Sequence, residues 1–257
     1  MTFINVSVAD GIATLHFNDP RRHNALSQEL LTEFVAAFRG FGPEVRAIVI
    51  RAGVDDKTWC GGYNIRELKR GLDPLEPGTL LPQAFACMAD SPAPVIGMIH
   101  GAAYGGGCDL ALRCDIMVGD PTAALAFTPA KLGVAYDLDG IANLLLRAGP
   151  QITMEMFATA NPMPGARLHA LGVMNHLVPE AELESFTYGL ARTIAANAPL
   201  SVACTKMHTR RLLASFAESL RNDPVLNAIR AQAANSDDFE EGVAALREKR
   251  VPVFTGR

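Results

Sequence analysis

Three short apolar runs, AIVIRA at 47–52, VIGMIH at 95–100 and DIMVG at 115–119, each break off at a Gly or Asp, and helical patterns separate them. Short apolar strands alternating with helices imply an α/β layering. Their irregular spacing excludes a solenoid of fixed repeats. Upstream, Phe3–Val8 and Ile12–Phe17 are β-rich runs joined by Ala9-Asp10-Gly11, which predicts a hairpin. Ser27 then caps a predicted helix with Leu30, Leu31, Phe34, Val35 and Phe38 on one face, ended by Gly40-Phe41-Gly42-Pro43. Gly71–Thr79, with two prolines and two glycines, reads as a mobile surface loop.

The β signal ends near Pro179. Glu180–Asn197, Pro199–Leu220 and Pro224–Asn235 carry helical periodicity. A last helix opens on Asp237, Asp238, Glu240 and Glu241 and closes on Arg247, Lys249 and Arg250. Acid first and base last is the order a helix dipole favours. The expected organisation is a mixed core over residues 1–197 and a helical part over 198–257.

Composition narrows the function classes. The 257 residues are 49% hydrophobic and 19% charged, which excludes disordered and coiled-coil readings and suits a core with an added subunit interface. A net charge of −4, with no Lys/Arg-rich run in the first two hundred residues, argues against nucleic acid or an anionic membrane as partner. Five cysteines, with no C-x-x-C, fit reduced thiols rather than a disulfide framework. No basic stretch followed by an apolar one opens the chain, and no apolar run spans a bilayer, so a soluble cytoplasmic protein is expected. The motifs G-x-S-x-G, G-x-G-x-x-G and G-x-x-x-x-G-K-[ST] are missing, and the six histidines are scattered. Nucleophile-elbow hydrolases, the usual nucleotide folds and a zinc site are disfavoured, and no metal is expected.

Two glycine-rich turns remain, TWCGGYNI at 58–65 and HGAAYGGGCDL at 100–110. Glycine lets a backbone approach a ligand closely, and a helix N-terminus has free N–H groups that favour negative charge. Two such N–H groups converging from separate loops would make an oxyanion hole for a carbonyl becoming an enolate. Tight packing would also explain the glycines, and spacing alone leaves both readings open.

GGYNI, HGAAYGGGCDLALRCD and the tail EGVAALREKRVPVFTG together resemble the crotonase (enoyl-CoA hydratase/isomerase) superfamily, from FNDPRRHNALS near the start to the last residues. The resemblance implies a crotonase-like α/β fold, a ββα spiral core followed by a C-terminal helical trimerisation region. It implies an acyl-CoA thioester as substrate, with coenzyme A entering as part of that substrate and no separate cofactor. It also implies self-association as a homotrimer or a dimer of trimers. Matching the motifs puts the oxyanion-hole N–H groups on Tyr63 and Gly106. In the same way Arg22, His23, Ala25, Leu26, Gly61, Asn64 and Ile65 would lie against CoA.

Hydratases resembling this chain carry one Glu just after the GGG turn and another after a Pro about twenty residues on. Here those positions hold Asp109 and Ala130. Adding water requires paired carboxylates, and alanine supplies none. TPAKLGVAYDL at 128–138, GIANL at 140–144 and SDDFEEGVAALREKR near the end are similar to the family's biotin-independent methylmalonyl-CoA decarboxylase branch. That branch has a Tyr at the position of Tyr136 and no second Glu. Losing CO₂ from a malonyl thioester forms the enolate directly, so no base has to remove a carbon-bound proton. A Tyr hydroxyl orients the carboxylate without adding ground-state charge stabilisation. The chain departs from that branch in having Tyr63 for a His and Asp109 for a Glu. The first change leaves the backbone N–H in place, and the second shortens the carboxylate's reach by a methylene.

The expected catalytic side chains are Tyr136, Asp109 and Thr128. Each has a plainer reading: a loop tyrosine, a charge complementing its helix N-terminus, and a turn residue before Pro129. Of only four tyrosines, three (Tyr63, Tyr104 and Tyr136) fall in the motif loops. The alternatives are another crotonase-type reaction using Asp109 (enoyl-CoA hydration, isomerisation or thioester hydrolysis) and a non-catalytic CoA-binding relative.

Overall fold

The computed structural model describes residues 2–53, 56–69, 73–76 and 78–257. The hairpin forms as β1 (Ile4–Ala9) and β2 (Ile12–Phe17), with Ala9 opposite Ile12. Asp10 and Gly11 both have positive φ, the two-residue turn whose twist matches the strands. Ser27 accepts a hydrogen bond from Leu30 N at 3.2 Å and starts α1 (Gln28–Gly40), whose five predicted apolar positions are all buried.

A repeating strand–strand–helix unit then winds through the core. Its first turn is β3 (Ala47–Arg51), β4 (Thr58–Cys60) and α2 (Leu80–Asp90). The second is β5 (Val95–Ile99), β6 (Ala102–Tyr104) and α3 (Gly106–Leu112). The third is β7 (Ile116–Gly119), β8 (Ala124–Ala126) and, after a 3₁₀ turn at Pro129–Leu132, α4 (Leu138–Thr159). β9 (Met163–Pro164), α5 (Gly165–Ala170) and β10 (His176–Leu177) close the spiral. The first strand of each turn joins a six-stranded sheet in the order β1-β2-β3-β5-β7-β10, parallel from β2 onward. The second strands stack as β4-β6-β8-β9, parallel except at β8–β9.

This second sheet was not legible in the sequence. Its strands are two or three residues long, too short for period-two alternation. Of the predicted loop, Gly71, Leu72 and Pro77 lie outside the described residues. Asp73–Glu76 forms a turn in which Leu75 N donates to Asp73 Oδ1 at 2.9 Å and Leu75 is buried. That turn is therefore a wall of the core rather than a bare loop.

α6 (Leu183–Ala196) follows the spiral, and beyond residue 197 the chain runs as α7 (Pro199–Glu218), α8 (Pro224–Ala234) and α9 (Asp237–Glu248). Leu183 and Ala191 of α6 cover the outer face of the main sheet at Val49, Ile96, Met98 and Val118. α9 docks on the 3₁₀ turn so closely that a Cβ on Gly242 would meet Leu132 O at 2.6 Å. Among the described residues no helix is long and apolar enough to cross a membrane.

Candidate active site

The two glycine turns converge. Leu26 N donates to Gly62 O at 2.8 Å and Asn64 N to Leu26 O at 3.2 Å, a short parallel bridge that brings the TWCGGYNI turn beside the start of α1. Gly62 has a φ of +87°, and a Cβ there would sit 2.5 Å from Tyr104 O, so only glycine lets the turns close on each other. A methyl group placed on Gly106 would lie 3.5 Å from Tyr63 N, and one on Gly62 would lie 3.5 Å from Gly106 N. Neither N–H is used by a backbone acceptor among the described residues. Gly106 is the first residue of α3, where an unpaired N–H meets the positive end of the helix dipole.

The cavity in front of this pair is about 120 Å³. Tyr63, Gly106, Thr128 and Tyr136 line it together with Leu75, Leu81, Leu132, Val134 and, from α9, Leu246. Thr128 does not cap its own turn, and its Oγ1 would lie 3.2 Å from a methyl group on Gly105. A larger cleft of about 790 Å³ opens at Asp56, Lys57, His100, Asp120, Glu180 and Glu184. It contains neither the N–H pair nor Tyr136, so size does not decide between the two.

Tyr136 is held from three sides. Its ring stands edge-on to Phe127 with centroids 5.2 Å apart and leans on Phe157 at 5.5 Å. A Cβ on Gly140 would meet its Cδ1 at 2.6 Å, so the missing side chain makes room for the ring. Its hydroxyl donates to Asp109 Oδ2 at 3.2 Å. Burial, then the charges of Asp109 and Asp137, push the phenol well above its ordinary range and keep it protonated.

Asp109 lies behind Tyr136 rather than on the cavity wall, and it is fully buried. Arg113, one helical turn on, grips it through Nε and Nη2, both at 3.1 Å, and Asn143 donates to its Oδ1 at 3.2 Å. Arg113 also lies over the Phe85 ring, 3.9 Å from the centroid. Sequence reasoning missed Arg113 and Asn143. The i,i+4 spacing of Asp109 and Arg113 was a readable signal, whereas Asn143 stood only within the GIANL segment, which gave it no role. Ala130 is exposed and brings no carboxylate to the cavity.

The predicted CoA-side residues gather at one edge of the cavity. Gly61 N donates to His23 O at 2.8 Å, and Arg22 Nε pairs with Asp19 Oδ2 at 2.6 Å in an exposed turn. Gly61 and Ile65 reach the cavity wall. Leu26 and Asn64 form the bridge behind it, with Asn64 Nδ2 bonded to Glu67 Oε1 at 2.7 Å, and Ala25 precedes it with its N–H donated to Arg22 O at 3.1 Å. Burial pushes the Cys60 thiol up to about 12 and Cys108 well above its ordinary value, so neither supplies a thiolate. Among the described residues no three His, Cys, Asp or Glu side chains gather to hold a metal.

Asp137 caps α4 through a 3.2 Å bond from Gly140 N. Burial, then the negative charge of Asp109, raises its carboxyl from 3.8 to about 6. A carboxyl raised in the folded state contributes its stability below the unfolded pKa and loses it as pH climbs through the folded one. Above pH 6 the ionised group therefore costs the fold about 3 kcal/mol. Asp137→Asn keeps an acceptor for Gly140 N. It is expected to raise the Tm at pH 8 by several degrees and to change it little near pH 4. An equal Tm change at both pH values would contradict this origin.

Compared with known proteins, the enoyl-CoA hydratase/isomerase profile matches residues 7–257. The chain is 34% identical to methylmalonyl-CoA decarboxylase of Escherichia coli (strain K12), over 99% of this chain and 98% of that one. It is 31% identical to carnitinyl-CoA dehydratase of Proteus mirabilis (strain HI4320), over 93% of each. A solved structure of methylmalonyl-CoA decarboxylase in complex with 2-nitronate-propionyl-CoA superposes with a TM-score of 0.95 at 34% identity, covering 99% of both chains. With the converging turns and the strand–strand–helix spiral already in view, the chain belongs to the enoyl-CoA hydratase/isomerase family.

Proposed function

We propose that this protein is a cofactor-free acyl-CoA decarboxylase that converts methylmalonyl-CoA, or a close malonyl thioester, to propionyl-CoA or its analogue. The observation that carries the reading is the cavity wall. Tyr63 and Gly106, with their unpaired backbone N–H groups, line the cavity together with the hydroxyl-bearing Tyr136 and Thr128, and among the described residues Asp73 is the one carboxylate in the lining. The decarboxylase of Escherichia coli, similar over nearly the whole chain, supports it.

In this mechanism the thioester oxygen sits between Tyr63 N and Gly106 N. Tyr136 and Thr128 wall the subsite that keeps the carboxylate out of the thioester plane, Tyr136 without donating to it. The bond from C2 to the carboxylate breaks, its electron pair passes into the thioester as an enolate, and CO₂ leaves. The two N–H groups meet the charge where it develops, and such placement usually supplies the largest share of rate enhancement. C2 then takes a proton that comes ultimately from water. The cavity of about 120 Å³ suits a short acyl group.

Asp109 as sole acid–base is the second reading. A proton shuttle must reach the substrate, and both oxygens of this buried carboxylate are taken up by Arg113, Asn143 and Tyr136. Incubation with methylmalonyl-CoA, followed by chromatography of the acyl-CoA species, decides between the two. Propionyl-CoA is the expected product. Unchanged substrate at high enzyme concentration, with hydration of crotonyl-CoA, would reverse the assignment.

We also propose that residues 198–257 form the contacts of a trimer or a dimer of trimers. Leu200 is 84% exposed and Leu212 73% exposed, and Met207 and Phe216 of the same helix and Val225 and Ile229 of α8 are exposed as well, more apolar side chains than singly scattered surface positions supply. Sedimentation equilibrium is expected to return a mass of three or six chains, and a monomer mass would refute it.

A further inference from the structure

Asp109 accepts four hydrogen bonds, two on each oxygen. Oδ1 takes Arg113 Nε and Asn143 Nδ2, and Oδ2 takes Arg113 Nη2 and the Tyr136 hydroxyl. An ionised carboxylate offers about four lone-pair sites, so this one is full. The hydrogen between it and Tyr136 is the one the Tyr136 hydroxyl donates at 3.2 Å. On the cavity side the phenol oxygen then presents lone pairs only.

Asn143 fixes this arrangement from the far side. Its carbonyl oxygen faces Arg147, whose Nη1 donates to it and, at 2.9 Å, to the Asn143 backbone oxygen. A guanidinium only donates and a carboxylate only accepts, so the amide nitrogen must face Asp109. Arg147 makes these two bonds and no ion pair among the described residues. Burial, then the charges of Arg210 and Arg113, lowers its guanidinium to about 10. A half-buried cation without a carboxylate of its own is costly. Here it polarises the Asn143 amide toward Asp109.

We propose that Asn143, anchored by Arg147, is a positioning residue. It holds Asp109 so that Tyr136 commits its hydroxyl hydrogen to Asp109 and shapes the carboxylate subsite without donating to it. This rests on the decarboxylase reading. A donor aimed at the substrate carboxylate would stabilise the ground state, whose charge is lost there as CO₂ forms, and would slow the reaction. Without Asn143 one lone pair of Asp109 opens, the carboxylate turns with Arg113, and Tyr136 is released to bond the substrate.

The test is the kinetics of Asn143→Leu on methylmalonyl-CoA, alone and in the Tyr136→Phe background, together with its crystal structure. The expected result is a kcat about tenfold lower with KM unchanged or lower, and no further loss when Tyr136 is already Phe. An unchanged kcat, or the same loss in both backgrounds, overturns the proposal and leaves the decarboxylase reading intact. If wild-type protein leaves methylmalonyl-CoA untouched, that reading fails, and the crystal structure still decides the positioning. Loss of the Tyr136–Asp109 bond in Asn143→Leu supports it, and retention refutes it. Should Asn143→Leu not fold, Arg147→Met removes the outer anchor alone and is read by the same measurements.

Discussion

Tyr136→Phe is expected to lower kcat on methylmalonyl-CoA about a hundredfold while KM stays within about twofold. The substitution removes one oxygen and keeps the ring, and Phe127 and Phe157 grip the ring rather than the hydroxyl. Folding and the CoA-side bridge at Leu26 and Asn64 are therefore preserved, and the loss falls on the step in which the carboxylate departs. Steady-state kinetics with thermal unfolding as control reads both. A raised KM with kcat unchanged would mean that Tyr136 only binds substrate, and that the departure of CO₂ is controlled elsewhere.

Asp109→Ala is expected to cost about 3–5 kcal/mol of stability, because it leaves a charge in the interior without its partner. Arg113 would keep a guanidinium beside Phe85 with no carboxylate to meet it, and Asn143 Nδ2 and the Tyr136 hydroxyl would also lose their acceptor. For a chain of this size the Tm should fall by roughly 10 °C. Asp109→Asn, which keeps the shape and one acceptor, should lose less. The pair of variants separates the two roles considered for this residue. A proton carrier would lose activity in Asp109→Asn with the Tm nearly intact, whereas a buried anchor loses stability in Asp109→Ala first.

The α/β layering, the hairpin and the four C-terminal helices were readable in the residues. Those elements carry local signals: period-two and period-3.6 apolar spacing, Ser27 as a cap, and Pro199 and Pro224 as helix starts. The second sheet was hidden because β4, β6 and β8 hold three residues each, and their strand character comes from stacking turn on turn. The glycine turns were visible as glycine, and the family resemblance paired them. Their approach to within ordinary van der Waals distance is a property of the fold alone.

The same division runs through the site. Sequence determined which groups this chain can bring to chemistry: a tyrosine at 136, an alanine at 130 where hydratases carry glutamate, and backbone N–H groups after glycine. Periodicity and motif are local, so they reach that far. Tertiary structure decided what those groups face. Asp109 looked like an acid beside the site, and folding buried it against Arg113 and Asn143, residues on different helices that no spacing rule connects to Tyr136. Burial is a long-range property of packing, and it placed this carboxylate behind the tyrosine with both oxygens occupied.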